Sequence, residues 1–166
     1  MDNKTIIAVD AMGGEGSPKK IIDGIKLSLE DSKENFFQIY GDKNLINSLI
    51  SDKDEINEYS EVFHCDGKVA DDDTPLSAAK KNNSTSMWKS IESQKNGSSQ
   101  ISLSAGNTGA LLILSRLILN MITGVDKPAL AGLWPNKIGM NLVLDLGANI
   151  ECSEKNLIDF SYMGAA

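Results

Sequence analysis

The sequence predicts an α/β protein built around a mostly parallel β-sheet. Three observations carry this prediction: apolar runs typical of buried strands recur along the chain, helix-like segments separate most of them, and glycine-bearing turns follow several of the runs. Parallel strands need long crossover connections, which helices usually supply. Since 166 residues is the length of one ordinary domain, we expect residues 1–166 to form a single α/β domain.

Six strands are predicted, each as a short apolar run: 5–9, 36–40, 61–64, 101–104, 129–134 and 141–144. Five helices are predicted between and after them: 17–33, 43–50, 75–96, 108–123 and a last one that begins at 154. Ser17, Thr74 and Ser153 are expected to cap three of these helices, the first two with a following proline in the first turn. The polar segment 50–59 indicates a surface excursion. The last helix has no stop signal, so we expect the sequence to break off inside it.

Composition and charge exclude several classes of protein. A net charge of −7 is the opposite of the basic surface with which general nucleic-acid binders contact phosphates, so no nucleic-acid partner is expected. No stretch reaches the roughly 18 apolar residues of a membrane-spanning helix. The first strand follows Met1 closely, which leaves no room for a targeting segment, and we expect a cytoplasmic protein with Cys65 and Cys152 reduced. Neither cysteine has metal-ligand spacing, and His64 beside Cys65 is interpreted as structural filling rather than a catalytic dyad.

The most informative segment is 100–114, QISLSAGNTGALLIL, in which an apolar strand leads through a Gly-Asn-Thr-Gly turn into an apolar helix. Gly106 and Gly109 let a ligand approach the main chain closely. The first N–H groups of the helix and its positive dipole end then face that ligand, with Ser104, Asn107 and Thr108 as side-chain donors. This pattern predicts a phosphate site. The alternative is an ordinary loop, because the segment is neither a Walker loop nor a dinucleotide fingerprint.

Two further loops combine an aspartate with glycines after an apolar strand. They comprise Asp10, Gly13 and Gly14 after the first strand, and Asp145, Gly147 and Asn149 after the sixth. Ligands of open parallel sheets bind beyond the carboxyl ends of the strands, so we expect the three loops to converge on one site. Carboxylates repel phosphate, and the two aspartates are therefore interpreted as acceptors that hold the loops in shape, with proton transfer or metal binding as minority alternatives.

The predicted helix 75–96 contains an unusually polar stretch. Its polar members are Lys80, Lys81, Asn83, Ser84, Thr85 and Ser86. Because serine and threonine disfavour helix interiors, this stretch either breaks the helix or supplies a second set of hydroxyl and amine donors to the site. The residues leave both alternatives open.

With these segments assembled, the sequence resembles the phosphate acyltransferases of bacterial phospholipid synthesis, the PlsX family, from end to end. The resemblance rests on six segments in the same order: IAVDAMGGEGSP, the Ser86-Met87 element, SAGNTGALL, GVDKPALAGLWP, LDLGANIEC and FSYMGAA. Family members are much longer, so the chain looks like an N-terminal half.

The resemblance implies a three-layer α/β/α fold like that of isopropylmalate dehydrogenases and phosphotransacetylases, commonly as a homodimer. It also implies that inorganic phosphate attacks a fatty acyl thioester on acyl carrier protein, without a cofactor or a metal. A thiol has a pKa of about 8.5 and leaves readily as thiolate, so no nucleophilic side chain is needed. The acyl phosphate product passes to a membrane glycerol-3-phosphate acyltransferase, which implies peripheral association with the inner face of the membrane.

Carried over to this sequence, the resemblance assigns catalysis to Asn107, Thr108 and Ser104. It assigns substrate binding to Gly106, Gly109, Asp10, Gly13, Gly14, Asp145, Gly147, Asn149, Lys80 and Ser86. The family usually has one or two basic residues just before the Ser86-Met87 element, where this chain has Asn82, Asn83, Ser84 and Thr85. Lys80 or Lys81, one turn earlier, is the expected substitute. Two rival functions stay open: transfer from acyl-coenzyme A, as in phosphotransacetylases, and non-catalytic phosphate binding. We expect the 166-residue chain alone to be inactive.

Overall fold

The computed structural model describes residues 4–166, with only the backbone described for Asn82. The chain divides into two compact units, of which the first ends at Leu119 and the second spans Asn120–Ala166. The single-domain organisation expected from the sequence stays a prediction.

The first unit is built on a parallel sheet. Its elements in chain order are β1 (Thr5–Asp10), α1 (Lys19–Asp31), β2 (Asn35–Gly41), α2 (Lys43–Asn47), α3 (Ile56–Tyr59), β3 (Ser60–His64), α4 (Pro75–Lys80), α5 (Ser86–Lys95), β4 (Ile101–Ser104) and α6 (Thr108–Leu119). The four strands pair in the order β3-β2-β1-β4, and every pair is parallel. The order reverses between β1 and β4, and such a reversal is where open α/β sheets bind ligands.

Helices cover both faces of this sheet, because side chains alternate between the two faces of each strand. On one face Val9 and Ile39 join Ile22, Ile25 and Leu29 of α1 in a buried core. On the opposite face α5 packs against β1, β2 and β4. Helices α5 and α6 pack against each other in a second core, which contains Met87, Ile91, Ala110, Leu114 and Ile118. The three-layer α/β/α fold implied by the resemblance is confirmed.

The single helix predicted over 75–96 is wrong, and the broken-helix alternative is correct. Helix α4 ends at Lys80, a 3-10 turn follows over Asn82–Ser84, and α5 begins at Ser86. Thr85 caps the new helix, its hydroxyl accepting a hydrogen bond from the Trp88 N–H at 3.2 Å. Hydroxyl side chains compete for backbone hydrogen bonds in this way, which is why the polar stretch interrupts the helix.

Two of the three predicted helix caps are confirmed. Thr74 caps α4 ahead of Pro75, and Ser153 caps α7 (Glu154–Ala165) in a reciprocal pair with Asn156. The cap predicted at Ser17 is wrong, because α1 begins at Lys19 and no side chain caps it. The Ser17 hydroxyl instead donates to the carbonyl oxygen of Gly13 and closes the glycine loop after β1.

The second unit contains a hairpin and α7. The strands β5 (Gly132–Asn136) and β6 (Gly139–Val143) pair antiparallel, so the expectation of parallel strands at 129–134 and 141–144 is wrong. Only residues 137 and 138 connect them, and a parallel crossover needs a dozen or more.

In the first unit, the surface excursion predicted at 50–59 ends in a short helix, α3, whose Ile56 is buried in the core. The longest helix in the described part of the chain has 13 residues, and none qualifies as a membrane span.

Candidate functional site

The loops that follow β1 and β4 meet at the reversal of strand order. A Cβ placed on Gly13 would lie 2.9 Å from the Gly106 nitrogen and 2.6 Å from Asp10 Oδ2, which is closer than atoms can approach. Gly14 has φ +87°, and a Cβ there would lie 2.5 Å from the Ala105 carbonyl oxygen. The two loops therefore pack backbone against backbone, and this contact is why glycine occupies both positions.

Asp10 is a buried centre that joins three segments, with 1 % of its surface exposed. Its Oδ1 accepts hydrogen bonds from the Ser86 hydroxyl at 2.6 Å and from the Met12 N–H at 3.1 Å. Its Oδ2 accepts one from the Ser104 hydroxyl at 2.7 Å, and Ser104 Oγ in turn accepts from the Gly106 N–H at 3.1 Å. Asp10 thus fixes both glycine loops and the start of α5, the loop-holding task inferred from the sequence.

Asn107 immediately precedes α6, and its side chain forms hydrogen bonds with other groups of the protein. Its Oδ1 accepts from the Ala110 N–H at 2.9 Å, which satisfies one of the first amides of the helix. Its Nδ2 donates to the carbonyl oxygens of Asp71 and Asp73, each at 3.0 Å. Both amide hydrogens expected to reach a phosphate are therefore engaged, and Asn107 pins the segment before α4 to the loop.

The backbone N–H groups at the start of α6 differ in their partners. Gly106 donates to Ser104, and Ala110 donates to Asn107. Within the part of the chain that the structure describes, the N–H groups of Asn107, Thr108 and Gly109 donate to no protein acceptor. Unpaired N–H groups at the positive end of a helix dipole are suited to bind an anion.

Ser86 and Lys80 occupy different surroundings. Ser86 is fully buried and its hydroxyl donates to Asp10, so it helps to hold the aspartate that fixes the glycine loops. Lys80 is exposed in the last turn of α4, whose first residue, Pro75, lies beside Gly109. Lys81 forms an ion pair with Asp73, and this hydrogen bond lowers the pKa of the Asp73 carboxyl. The charge of Lys81 therefore neutralises an aspartate of the protein.

Asp145 and Asn149 close a loop within the second unit. Asp145 Oδ1 accepts from the Leu130 N–H at 2.7 Å, and Oδ2 accepts from the Asn149 N–H at 2.8 Å. Asn149 Nδ2 also reaches the Pro128 carbonyl oxygen at 2.8 Å, while Gly147 has φ +84°. Asp145 therefore holds its own loop in shape. Convergence of this loop with the other two stays a prediction.

These hydrogen bonds make the loop around Asp145 sensitive to acid. Burial raises the pKa of Asp145, but the hydrogen bonds from Asn149 and Leu130 outweigh it, so the pKa lies below its ordinary value of 3.8. A carboxyl with a lowered pKa stabilises the fold above its ordinary pKa, and this stability is lost as the pH falls through the lowered value. We expect the protection of the Leu130 and Asn149 amides from hydrogen exchange to fall below about pH 4. In Asp145→Asn, protection should be weaker at neutral pH and lose this dependence; an unchanged profile would contradict the assignment.

Asn107 offers a test of its structural task. Asn107→Ala removes the cap of α6 and both bonds to the segment before α4, and we expect it to lower the free energy of unfolding by about 2 kcal/mol. Asn107→Ser keeps a capping acceptor for the helix start but loses both donors, so its loss should be smaller than that of the alanine variant. Urea denaturation measures both, and equal losses in the two variants would contradict the role of the cap.

His64 and Cys65 do not form a dyad. His64 Nδ1 accepts from the Lys43 N–H at 3.2 Å, and Nε2 lies 3.1 Å from Asp66 Oδ1. The Cys65 thiol is buried, which raises its pKa to about 11, so it is protonated at neutral pH.

Two features at this edge of the sheet have no signal in the sequence: a cavity lined in part by His64 and Cys65, and the hydrogen bonds from Asn107 to Asp71 and Asp73. Residues 4–166 contain no group of three or more His, Cys, Asp or Glu residues arranged to hold a metal ion.

Comparisons with known proteins agree with the resemblance. A family model described as "Fatty acid synthesis protein" matches residues 5–166. A phosphate acyltransferase of Pelagibacter ubique is 54% identical over 160 residues, covering 96% of this chain and 47% of the relative. The phosphate acyltransferase of Rhodospirillum rubrum is 38% identical over 164 residues, covering 99% of this chain and 47% of the relative. The phosphate acyltransferase of Beijerinckia indica is 40% identical over 161 residues, covering 96% of this chain and 42% of the relative.

The chain thus spans about half the length of the curated relatives it matches. The match of the family model extends over almost all of the chain and includes both loops at the reversal of strand order. The resemblance found in the sequence is confirmed: this chain belongs to the fatty acid synthesis protein family, whose curated relatives here are phosphate acyltransferases.

Proposed function

We propose that this chain provides the phosphate-binding part of an enzyme that forms acyl phosphate from fatty acyl-[acyl carrier protein] and inorganic phosphate for phospholipid synthesis. One observation carries the proposal. The N–H groups of Asn107, Thr108 and Gly109 have no acceptor among the described residues, and they begin a helix at the reversal of strand order. The name shared by the relatives, phosphate acyltransferase, supports the same chemistry.

The proposed reaction needs positioning more than chemical participation of side chains. A phosphate oxygen attacks the thioester carbonyl carbon, a tetrahedral oxyanion forms, and the carbon–sulfur bond breaks to release thiolate. The loop amides hold the phosphate against the thioester and stabilise the charge of the oxyanion, which are the effects of orientation and of preorganised donors. The exposed Thr108 hydroxyl adds a donor at the same helix start. Ser104, held between Asp10 and Gly106, keeps the amides in place.

The proposal extends to partners and location. We assign acyl carrier protein and inorganic phosphate as substrates, a homodimer as the assembly, and the cytoplasm as the location, with peripheral association at the inner membrane face where the acyl phosphate is consumed. Carrier proteins of this kind are acidic, and this chain has a net charge of −7. Since like charges disfavour docking, the carrier needs a local basic patch on this chain or on the part of the longer relatives that it does not span.

The test measures thiol release from two donors with the complete protein that carries these residues. We expect phosphate-dependent release from acyl-[acyl carrier protein] together with acyl phosphate, and a loss of more than tenfold in Gly106→Val, whose side chain would press on Gly13 and Met87. Release from acyl-coenzyme A alone would favour the phosphotransacetylase-like alternative. Phosphate binding without thiol release would favour the non-catalytic one.

A further inference from the structure

A cavity lies beside the proposed phosphate loop, residues 104–109, at the carboxyl ends of β1, β2 and β3. It has a volume of about 350 Å³ and is lined by Met12, Asp42, His64, Cys65, Asp66, Gly67 and Lys68. This volume lies within the roughly 300–1,000 Å³ typical of small-molecule sites. The phosphate loop, by contrast, follows β4, so the cavity occupies the remaining part of the same sheet edge.

The cavity and the phosphate loop share the loop after β1. Met12 lines the cavity, and the next residue, Gly13, packs against the backbone of Gly106. Neighbouring strands lie about 4.8 Å apart, so the edge from β3 to β1 measures about 10 Å. A chain lying along this edge from β3 would therefore bring its end to the phosphate loop.

The polar groups of the cavity suit an uncharged ligand that carries both donors and acceptors. Asp42 Oδ1 caps α2 by accepting from the N–H groups of Asn44 and Leu45, which leaves Oδ2 as a free acceptor. Asp66 Oδ1 lies within hydrogen-bond distance of His64 Nε2. Among residues 4–166, the exposed Lys68 ammonium forms no ion pair with an acidic residue, so it is available as a donor. Two carboxylates beside one ammonium disfavour a phosphate group. Met12 and the protonated thiol of Cys65 supply an apolar wall.

We propose that this cavity binds the amide-bearing pantetheine arm on which the acyl thioester is carried. Amide N–H groups of the arm donate to Asp42 and Asp66, and an amide carbonyl accepts from Lys68. This inference rests on the proposed function, because a thioester donor is what brings such an arm to the site. Acyl carrier protein and coenzyme A both carry the arm, so the cavity recognises a chemistry that the two donors share.

Two methionine methyl groups allow the two sites to be observed separately. Met12 lies in the cavity, whereas the methyl carbon of Met87 would lie 3.1 Å from a Cβ at Gly106 and so borders the phosphate loop. We expect pantetheine, added to the complete protein labelled at its methionine methyl groups, to shift the Met12 signal, and inorganic phosphate to shift that of Met87. A pantetheine shift at Met87 without one at Met12, or no pantetheine binding at millimolar concentration, would overturn the inference. Such a result would leave the proposed phosphate binding unaffected. Conversely, pantetheine binding without phosphate binding would contradict only the proposed function.

Variants test the assigned contacts. Lys68→Ala should weaken pantetheine binding about tenfold, as expected for a lost hydrogen bond to a charged group. Lys95→Ala, at the far end of α5, should leave it unchanged. Met12→Trp fills the cavity and should abolish binding; if it does not fold, Lys68→Ala decides. Lys68→Ala should also raise the KM for acyl-[acyl carrier protein] and acyl-coenzyme A alike. A rise for the carrier protein alone would mean that Lys68 docks an acidic protein, and would overturn the assignment to the arm.

Discussion

Gly13→Ala is expected to abolish phosphate binding and to lower the free energy of unfolding by about 3 kcal/mol. The added Cβ would meet Asp10 Oδ2, the Gly106 nitrogen and Ser104 Oγ, all within 2.9 Å. The Gly106 nitrogen belongs to the backbone, and hydrogen bonds hold the two side-chain oxygens in place, so the two loops must separate. Separation moves the amides that follow Gly106 away from the arrangement in which they bind an anion. Calorimetric titration with inorganic phosphate and urea denaturation measure the two effects.

The chain offers a matched control for this substitution. Gly24 lies within α1, and a Cβ there would meet no atom within 4 Å. Gly24→Ala should therefore stabilise the protein by about 0.5–1 kcal/mol and leave phosphate binding unchanged, because alanine is the better helix former. Wild-type phosphate affinity in Gly13→Ala would show that contact between the loops is not needed for the site.

Asp10→Ala is expected to lower the free energy of unfolding by about 4 kcal/mol, because three hydrogen bonds to a buried carboxylate are lost together. The hydroxyls of Ser86 and Ser104 lose their acceptor, and Ser104 no longer holds the Gly106 N–H in a fixed direction. Phosphate affinity should fall at least tenfold even under conditions where the variant is folded. Thermal denaturation and phosphate titration at low temperature separate the two losses.

Asp23→Ala serves as the control for Asp10→Ala, since Asp23 is an exposed aspartate that pairs with Lys19 on the surface of α1. Its stability should differ little from that of the wild type, because exposed ion pairs contribute little. If Asp10→Ala lost stability but kept full phosphate affinity, Asp10 would support the fold without setting the geometry of the loop.

The parallel sheet and most helix starts could be predicted because their determinants are local. Apolar runs identify strands, and Thr74-Pro75 and Ser153 cap their helices through residues three positions away. The hairpin β5–β6 was missed for a related reason: its strands have the apolar character of buried strands, and only the short connection reveals that they are antiparallel.

The candidate site depends on contacts between residues that are far apart in the sequence. The glycines and Asp10 could be identified from their positions after strands. The contact of Ser86 with Asp10, however, joins residues 76 positions apart, and the contact of Asn107 with Asp71 joins residues 36 apart. A sequence pattern does not encode which distant donor satisfies a given acceptor. For this reason the sequence does not indicate that the buried Ser86 hydroxyl donates to Asp10, or that the Asn107 side chain caps α6 and binds the segment before α4.

The central claim is that the first amides of α6 bind inorganic phosphate, and an amide NMR titration of the complete protein tests it most directly. Adding phosphate should shift the signals of Thr108 and Gly109 most strongly, with Asn107 next, and Gly13→Ala should remove these shifts while Gly24→Ala keeps them. Phosphate-dependent shifts confined to other parts of the chain, or no shifts at phosphate concentrations that support thiol release, would contradict the account.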